Sequence, residues 1–340
     1  MTSSQPRVSI GVPVYNGAAL LPAALDSLLE QTYRDFELVI SDNASTDETE
    51  RICRSYAARD SRVRYHRQRK NIGAIRNFNA VFELAHGEYF KWAAHDDLCA
   101  PAFLERCVDV LDRDPDVVWC HTRSTHIDVE GDVIDEPDLT DVSYASLPPD
   151  GPAAKASPTR ESPRPHQRLY AVMLGKGGCL DAYGLIRTDV IRKTPLYMTC
   201  YGAEKVFIAE LALWGRYREI GETLFFPGVH QQAAGALTTD AEQKQYADPE
   251  SKPFQFTRLR LLAGYLSAIA RADLSLSERA LCLGVVGRYL LQVNKWGAIV
   301  SRTLSGAGIG GGHATVLQRQ RKRSKKGGHP TGDCGEATIA

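Results

Sequence analysis

Eight cysteines are scattered through the 340 residues without one C-x-x-C pair, which removes zinc-ribbon and thioredoxin-like arrangements. Spaced as they are (Cys53, Cys99, Cys107, Cys120, Cys179, Cys200, Cys282, Cys334), they read as buried free thiols of a reducing compartment. Long apolar runs are missing too. Nothing approaches the roughly 18 residues of a membrane span, and the best candidate, Leu281 to Val286, sits between Arg279 and Arg288. The opening MTSSQPRVSI lacks the basic flank and apolar stretch of a secretory signal. Charge of one sign is absent overall, with 41 Lys and Arg against 41 Asp and Glu, so no global positive field exists to coat nucleic acid or membrane. No repeat of fixed period is visible, and Gly11 with Gly17 do not make a phosphate-cradling loop. These absences leave a soluble, cytoplasmic chain without a specific nucleic-acid partner. With 43% hydrophobic residues, it is long enough for a sizeable core.

The first third alternates strand and helix patterns with short connections, the signature of a mostly parallel α/β sheet flanked by helices. Strands are expected at Val8–Val12, Phe36–Ile40, Val63–Tyr65, Tyr89–Ala93 and Val117–Cys120. Leu20, Leu21, Ala24, Leu25, Leu28 and Leu29 recur at helical spacing, as do Phe103, Leu104, Val108 and Leu111. From 136 to 165 seven prolines predict a long flexible loop. Beyond it, GCLDAYGLIRTDVIRK suggests a strand running into a short helix, Glu204–Leu213 an amphipathic helix, and Tyr217–Phe226 a pair of short strands closed by Pro227-Gly228. Together these read as a second sub-domain built onto the first. Helical patterns follow at Gln255–Arg271 and Ser277–Ser301, the latter opening on Ser277 and Glu278. The remainder is Gly-rich, then basic, and is expected to be disordered.

Ligands of such sheets bind beyond the carboxyl ends of the strands, and four segments fall there. In Pro13-Val14-Tyr15-Asn16-Gly17 the proline fixes the backbone leaving the sheet, Asn16 and Gly17 permit a tight turn, and Tyr15 offers a ring to a flat base. In Ser41 to Asp47, Asp42 suits a hydrogen bond from a base or ribose, while Ser45, Thr46 and Asp47 suit helix capping. Arg69, Lys70 and Arg76 around Asn71 put positive charge near a helix start that already attracts anions; taken alone, a solvated basic face accounts for them. Finally GEYFKWAAHDD ends an apolar strand in His95-Asp96-Asp97. Adjacent carboxylates repel unless a cation compensates, and oxygen ligands sharing a site with phosphates suit Mg²⁺ or Mn²⁺. Capping by Asp97 ahead of Pro101 would explain only one of that pair.

The set PVYNG, SDNASTD, NIG with RN, and GEYFKWAAHDD resembles the nucleotide-sugar domain of glycosyltransferase family two, the inverting group with the Rossmann-like GT-A fold. The resemblance covers about the first 125 residues strongly. It implies that Pro13, Tyr15 and Asn16 line the nucleoside pocket, that Asp42 binds the base with Asn71 and Arg76 nearby, and that Asp96 and Asp97 serve the ribose and the metal–diphosphate. Two departures stand out: the family's first motif carries two acidic residues where this chain has Ser41-Asp42, and its D-x-D motif here reads Ala94-His95-Asp96, which leaves Asp97 as the substitute ligand. A general base for the acceptor hydroxyl is implied at a helix start, which selects Glu204, with Asp181 second. Attraction to the helix dipole, worth about 0.3–1 kcal/mol, is the plainer account of Glu204. His230, after Pro227-Gly228, is a further candidate for the metal or diphosphate.

The resemblance thus implies a nucleotide-sugar-binding part over 1–125, an acceptor-side part over 126–235, C-terminal helices over 236–304 and a basic tail over 305–340. The implied partners are a nucleoside-diphosphate sugar, a divalent metal (Mn²⁺ or Mg²⁺), and a glycan, lipid-linked or small-molecule acceptor of polysaccharide or glycoconjugate synthesis. Two other readings use the same residues: a nucleotidyltransferase acting on a sugar-1-phosphate, distinguished by pyrophosphate release, and a non-catalytic nucleotide-sugar sensor, distinguished by binding without turnover. The neutral total also hides asymmetry. Residues 301–340 carry seven basic groups against Asp333 and Glu336, a net of +5, so the first 300 carry −5. Such a tail can reach the anionic inner face of a membrane, each cation there contributing about 1 kcal/mol.

Overall fold

Seven consecutive buried residues, Val8–Val14, form β1, and another seven, Phe36–Asp42, form β2 beside it in parallel register. Strands without an exposed face need cover on both sides, and the chain supplies it. The computed structural model describes residues 5–134, 160–175, 179–230, 240–247 and 257–291. Element order begins β1, α1 (Leu21–Leu29), β2, α2 (Thr49–Arg59), β3 (Val63–Arg67), α3 (Ala74–Glu83), β4 (Tyr89–Trp92), β5 (Leu98–Cys99), α4 (Phe103–Arg113) and β6 (Val117–Ser124). It continues with α5 (Pro165–Leu174), a 3-10 turn (Leu180–Tyr183), β7 (Leu185–Arg187), α6 (Thr188–Ile191), α7 (Ala203–Trp214), β8 (Arg216–Phe226), α8 (Asp240–Ala247), α9 (Thr257–Arg271) and α10 (Leu276–Leu290).

The eight strands make one sheet in the order β3-β2-β1-β4-β7-β6-β8-β5. Pairings β1 with β2, β1 with β4, β2 with β3 and β6 with β8 are parallel; β7 runs antiparallel to both β4 and β6, and β5 antiparallel to β8. The carboxyl ends of β1, β2, β3, β4, β6 and β8 therefore meet along one edge. Side-chain alternation divides the core between the faces. Phe82, Phe90, Trp92, Trp119 and Phe207 pack on one side, and Leu25, Leu38, Phe103, Leu104 and Phe225 on the other.

Several expectations need adjustment. Tyr217–Phe226 is a single eleven-residue strand, because its pairing with β6 continues through irregularities in register instead of turning. Segment 180–191 begins with a 3-10 turn before the strand and helix. What read as a second sub-domain sends β7 and β8 into the same sheet. Helix α7 is not amphipathic: nine of its twelve residues are buried, since α5, α9 and the sheet enclose it. The last helix starts at Leu276, one residue earlier than expected, and is capped by Ser275, whose Oγ accepts the Glu278 N–H. Of the proline-rich loop expected over 136–165, residues 160–165 are described and run into α5 with Ser162 buried; residues 136–159 and the tail over 305–340 lie outside the described residues.

Polar groups fix this packing. Buried Glu210 on α7 is held bidentately by Arg271 of α9, at 2.9 Å to each oxygen. Buried Arg168 donates to the Ala212 carbonyl at 2.6 Å and the Leu213 carbonyl at 3.4 Å, closing the end of α7. Phe207 packs edge-on to Trp92 at 5.3 Å and against Tyr197 at 4.7 Å, linking helix to sheet. Phe207→Ala is expected to cost about 3–5 kcal/mol, measured by urea unfolding; a loss below about 1 kcal/mol would show that this aromatic link does not hold α7 to the sheet.

Candidate active site

The loops leaving β1 and β2 are stitched together. Asn16, at φ 51°, donates its backbone N–H to Ser45 Oγ at 2.9 Å, and its side-chain oxygen accepts the Thr46 N–H at 2.8 Å. Gly17 N–H donates to Thr49 Oγ1 at 3.0 Å. Asp47 accepts the Ala18 and Thr49 amides, so it ties the two loops and supports the start of α2. Pro13 is buried in β1, and Tyr15 beyond it presents a ring that is 44% exposed.

Asp42 is fully buried. One oxygen accepts the Ser45 N–H at 2.8 Å; the other accepts the Tyr65 hydroxyl and an Arg67 N–H, both at 2.7 Å. Its lone pairs therefore face the protein, with Arg67 covering it. Asn71 is half-buried, and its side-chain oxygen accepts Asn43 Nδ2 at 2.9 Å and the Gly73 N–H at 2.8 Å. Arg76 is half-buried on the first turn of α3.

The loop after β4 packs directly on the first loop. A β-carbon on Gly17 would lie 2.6 Å from the His95 ring, so only glycine allows this approach. Asp96 faces the end of β8: His230 Nε2 and Asp96 Oδ2 are 2.7 Å apart. Asp97 turns elsewhere, accepting the Gly228 N–H at 3.1 Å. It does not cap α4, which has no side-chain cap. Burial alone would raise Asp96, but the hydrogen bond from His230 and the nearby His95 hold its carboxyl below the ordinary range. Burial, then repulsion from Asp96, pushes Asp97 well above it. Beneath lies Lys91, fully buried, donating to the Tyr183 carbonyl, its ammonium 4.4 Å from the Phe103 ring centre and 5.0 Å from that of Phe225. His121 is buried in the same layer, where desolvation and then Lys91 push it down to about 4. Its Nε2 meets no hydrogen-bond partner among the described residues.

Glu204 opens α7 behind Gly202, whose φ of 80° makes the reversal into the helix. The side chain is half-buried, and desolvation raises its carboxyl above the usual value. Burial first, and then the charges of Asp96 and Glu204, push the Tyr246 hydroxyl of α8 above its usual range. Asp181 has a different environment: Arg160 donates to one oxygen and the Tyr217 hydroxyl to the other at 3.2 Å.

Among the described residues no three His, Cys, Asp or Glu side chains are arranged to enclose a metal ion. The donor set nevertheless fits one kind of cation. A carboxylate and an imidazole converging at 2.7 Å suit a divalent ion that takes its other ligands from phosphate and water.

The strand-end site thus joins Asn16, Gly17, His95, Asp96 and His230, with the exposed Tyr15 ring next to Asn16 in the first loop. Lys91, Tyr65, Arg67, Asn43 and Tyr246 were not singled out from sequence. A lysine inside the apolar run Tyr89–Trp92 was a readable signal for the first; nothing local marks the others.

The eight-stranded mixed sheet flanked by helices has the GT-A fold. Residues 9–144 match the model of Glycosyl transferase family 2, and this part of the chain is a domain of that family. Within curated proteins, the chain is 36% identical over 118 residues to an uncharacterized glycosyltransferase of Rickettsia typhi, covering 34% of this chain and 36% of that one. It is also 36% identical over 129 residues to chondroitin synthase of Escherichia coli, covering 38% of this chain and 19% of that one. The chain therefore matches little more than a third of the first relative's length and a fifth of the second's. Among solved structures, S. aureus TarS 1-349 in complex with UDP superposes with a TM-score of 0.56 at 16% identity, covering 88% of this chain and 74% of that one. The mannosyltransferase PcManGT of Pyrobaculum calidifontis, in complex with GDP-Man and Mn²⁺, gives 0.50 at 17%, covering 95% and 80%. At those identities the likeness establishes the fold.

A β-carbon on Gly228 would stand 2.3 Å from the Asp96 carbonyl oxygen. Gly228→Ala is expected to cost about 1–3 kcal/mol in urea unfolding, whereas Gly221→Ala, which meets nothing within 4 Å, should change stability by less than about 0.5 kcal/mol. Equal effects would contradict a close approach at residue 228.

Proposed function

We propose that the chain transfers a sugar from a nucleoside diphosphate to an acceptor hydroxyl by a single displacement with inversion. The observation that carries this reading is the Asp96–His230 pair, 2.7 Å apart where the chain leaving β4 meets the chain leaving β8. The UDP and GDP-Man held by the fold neighbours support a nucleoside-diphosphate donor.

In this reading Tyr15 stacks on the base, and Asn16 and Pro13 shape the loop beneath it. Asp42 reaches a base only if Arg67, whose side chain is about one-third exposed, swings aside. Asn71 and Arg76 flank the same pocket. Asp96 and His230 hold Mn²⁺ or Mg²⁺, with Asp97 beside them gripping Gly228. When bound, the ion supplies positive charge to the diphosphate.

Glu204 takes the proton of the acceptor hydroxyl. The acceptor oxygen forms a bond to the anomeric carbon from the face opposite the diphosphate, the bond from that carbon to the diphosphate oxygen breaks, and the electron pair leaves with the diphosphate. A base must be ionised to act, and burial raises Glu204. Turnover should therefore fall as pH drops through a value above the ordinary glutamate range. Asp181, held by Arg160 and Tyr217, is the second choice for that proton.

Nucleoside diphosphate release that requires both acceptor and Mn²⁺ is the test of the transfer itself; pyrophosphate release would favour the nucleotidyltransferase alternative. Glu204→Gln is expected to leave donor binding intact, to lower kcat about 10²–10⁴-fold, and to abolish the acidic limb of the kcat profile. Wild-type turnover in that variant would remove Glu204 from the base role. Asp96→Asn should weaken metal-dependent nucleotide binding by calorimetry, and unchanged affinity would remove Asp96 from the metal site.

A further inference from the structure

Helices α9 and α10 bury one face each and leave another bare. On α9 the inward residues are Leu261, Gly264, Tyr265, Ala268 and Ile269; on α10 they are Cys282, Val285 and Val286. The helices meet through Tyr265 and Tyr289, whose ring centres are 5.6 Å apart, and Arg279 of α10 donates to the Ile269, Ala270 and Ala272 carbonyls at the end of α9.

The outward faces carry an unusual series. On α9, Leu259, Ala263, Leu266 and Ala270 are exposed at spacings of four, three and four residues. On α10, Leu276, Ala280, Leu283, Gly287 and Leu290 repeat the same spacing, with Leu291 beyond. Leu276 is 87% exposed and Leu291 76%. A stripe at that period is one continuous face of a helix. Apolar residues gathered this way on a soluble surface mark an interaction site, and no helix among the described residues is long and apolar enough to cross a membrane.

Charge distinguishes the occupant. From Thr257 onward the sequence holds 13 basic and 4 acidic residues, a net of +9, so residues 1–256 carry −9. Within the helical pair the two acids are Asp273, at the connection, and Glu278, which is taken by His166 at 2.7 Å. The bare stripes themselves contain no acidic residue. A second copy docked through the same face would bring two strongly cationic segments together, a repulsive arrangement. An anionic lipid surface instead accepts leucines into its acyl boundary and is attracted by the net positive charge of the sequence from Thr257 onward. It also repels the acidic body, which fixes the orientation.

We propose that the exposed face of the α9–α10 pair is a docking surface for an anionic lipid bilayer, with the basic chain after it adding charge. This goes beyond the transferase reading and stands independently of it. The leucines act as shallow wedges and the cations as long-range attraction, so binding requires both. Residues of the strand-end site take no part.

The test is co-sedimentation of the full chain with vesicles of phosphatidylcholine alone or mixed equally with phosphatidylglycerol. Wild-type protein should partition to the mixed vesicles only, and should be released in about 1 M salt, where the screening length is near 3 Å. Leu283→Glu, Leu290→Glu and Leu259→Glu should each lower partitioning about tenfold or more, with donor turnover and the circular dichroism spectrum unchanged. Leu290→Gln repeats the test should a charged variant fail to fold. Failure of wild type to bind mixed vesicles overturns the proposal. Wild-type-like partitioning of the leucine variants does so too, because the tail alone would then carry binding. A wild-type dimer that Leu283→Glu converts to monomer, without any partitioning to vesicles, identifies a second copy as the occupant and equally overturns it. Loss of turnover with vesicle binding retained bears on the transferase reading alone.

Discussion

The contact between Asp96 and His230, 134 residues apart and 2.7 Å from atom to atom, is the constraint to which the rest of the molecule answers. It requires β4 and β8 to deliver their ends to the same edge of the sheet, although β7 and β6 lie between them. It also requires the backbone after β8 to approach so closely that residue 228 has room for no side chain. The two-stranded pairing of β5 with β8 fastens this approach: Leu98 and Cys99, just beyond the aspartates, register with Phe226 and Phe225. A weak two-strand ladder thus sets the separation of two chemical groups.

Charge in this region is managed by unequal sharing. Two neighbouring carboxyls cannot both be ionised cheaply in a dry environment. Asp96 keeps its charge through His230, while Asp97 is displaced toward the neutral form and satisfied by a backbone amide. Lys91, with aromatic rings around its ammonium, supplies a fixed positive charge from below without reaching the surface. Glu204 is raised for a separate reason, desolvation at the start of a helix enclosed on most sides. Carboxyls that look alike in sequence are set to different proton affinities by the partners each meets and by burial.

Sequence revealed the strands and the order of the loops because both are local properties. Apolar runs such as Val8–Val14 and turn residues such as Asn16-Gly17 announce themselves within a few positions. The pairing of distant strands does not. Nothing in Leu185–Arg187 says that it fits between β4 and β6, and the irregular register of β8 hid a continuous strand behind Gly221. Asp42 was legible as the carboxylate at the end of β2, but its enclosure by Tyr65 and Arg67 depends on β3 lying alongside. His230 could be named from sequence as a candidate, whereas its partner oxygen could be identified only after folding.

The insertion of β7 between β4 and β6 also bears on how the chain is made. Strand β4 ends at Trp92 and its neighbour on that side begins at Leu185. At about 5–20 residues per second, a ribosome takes roughly 5–20 s to synthesise the intervening stretch. During that interval the edge of β4, carrying Phe90 and Trp92, has no permanent partner, and the first three strands can form only a half-finished sheet. The nascent chain is therefore open to strand addition from other molecules until its own later residues arrive, which makes the pace of translation through this stretch part of what the fold must withstand.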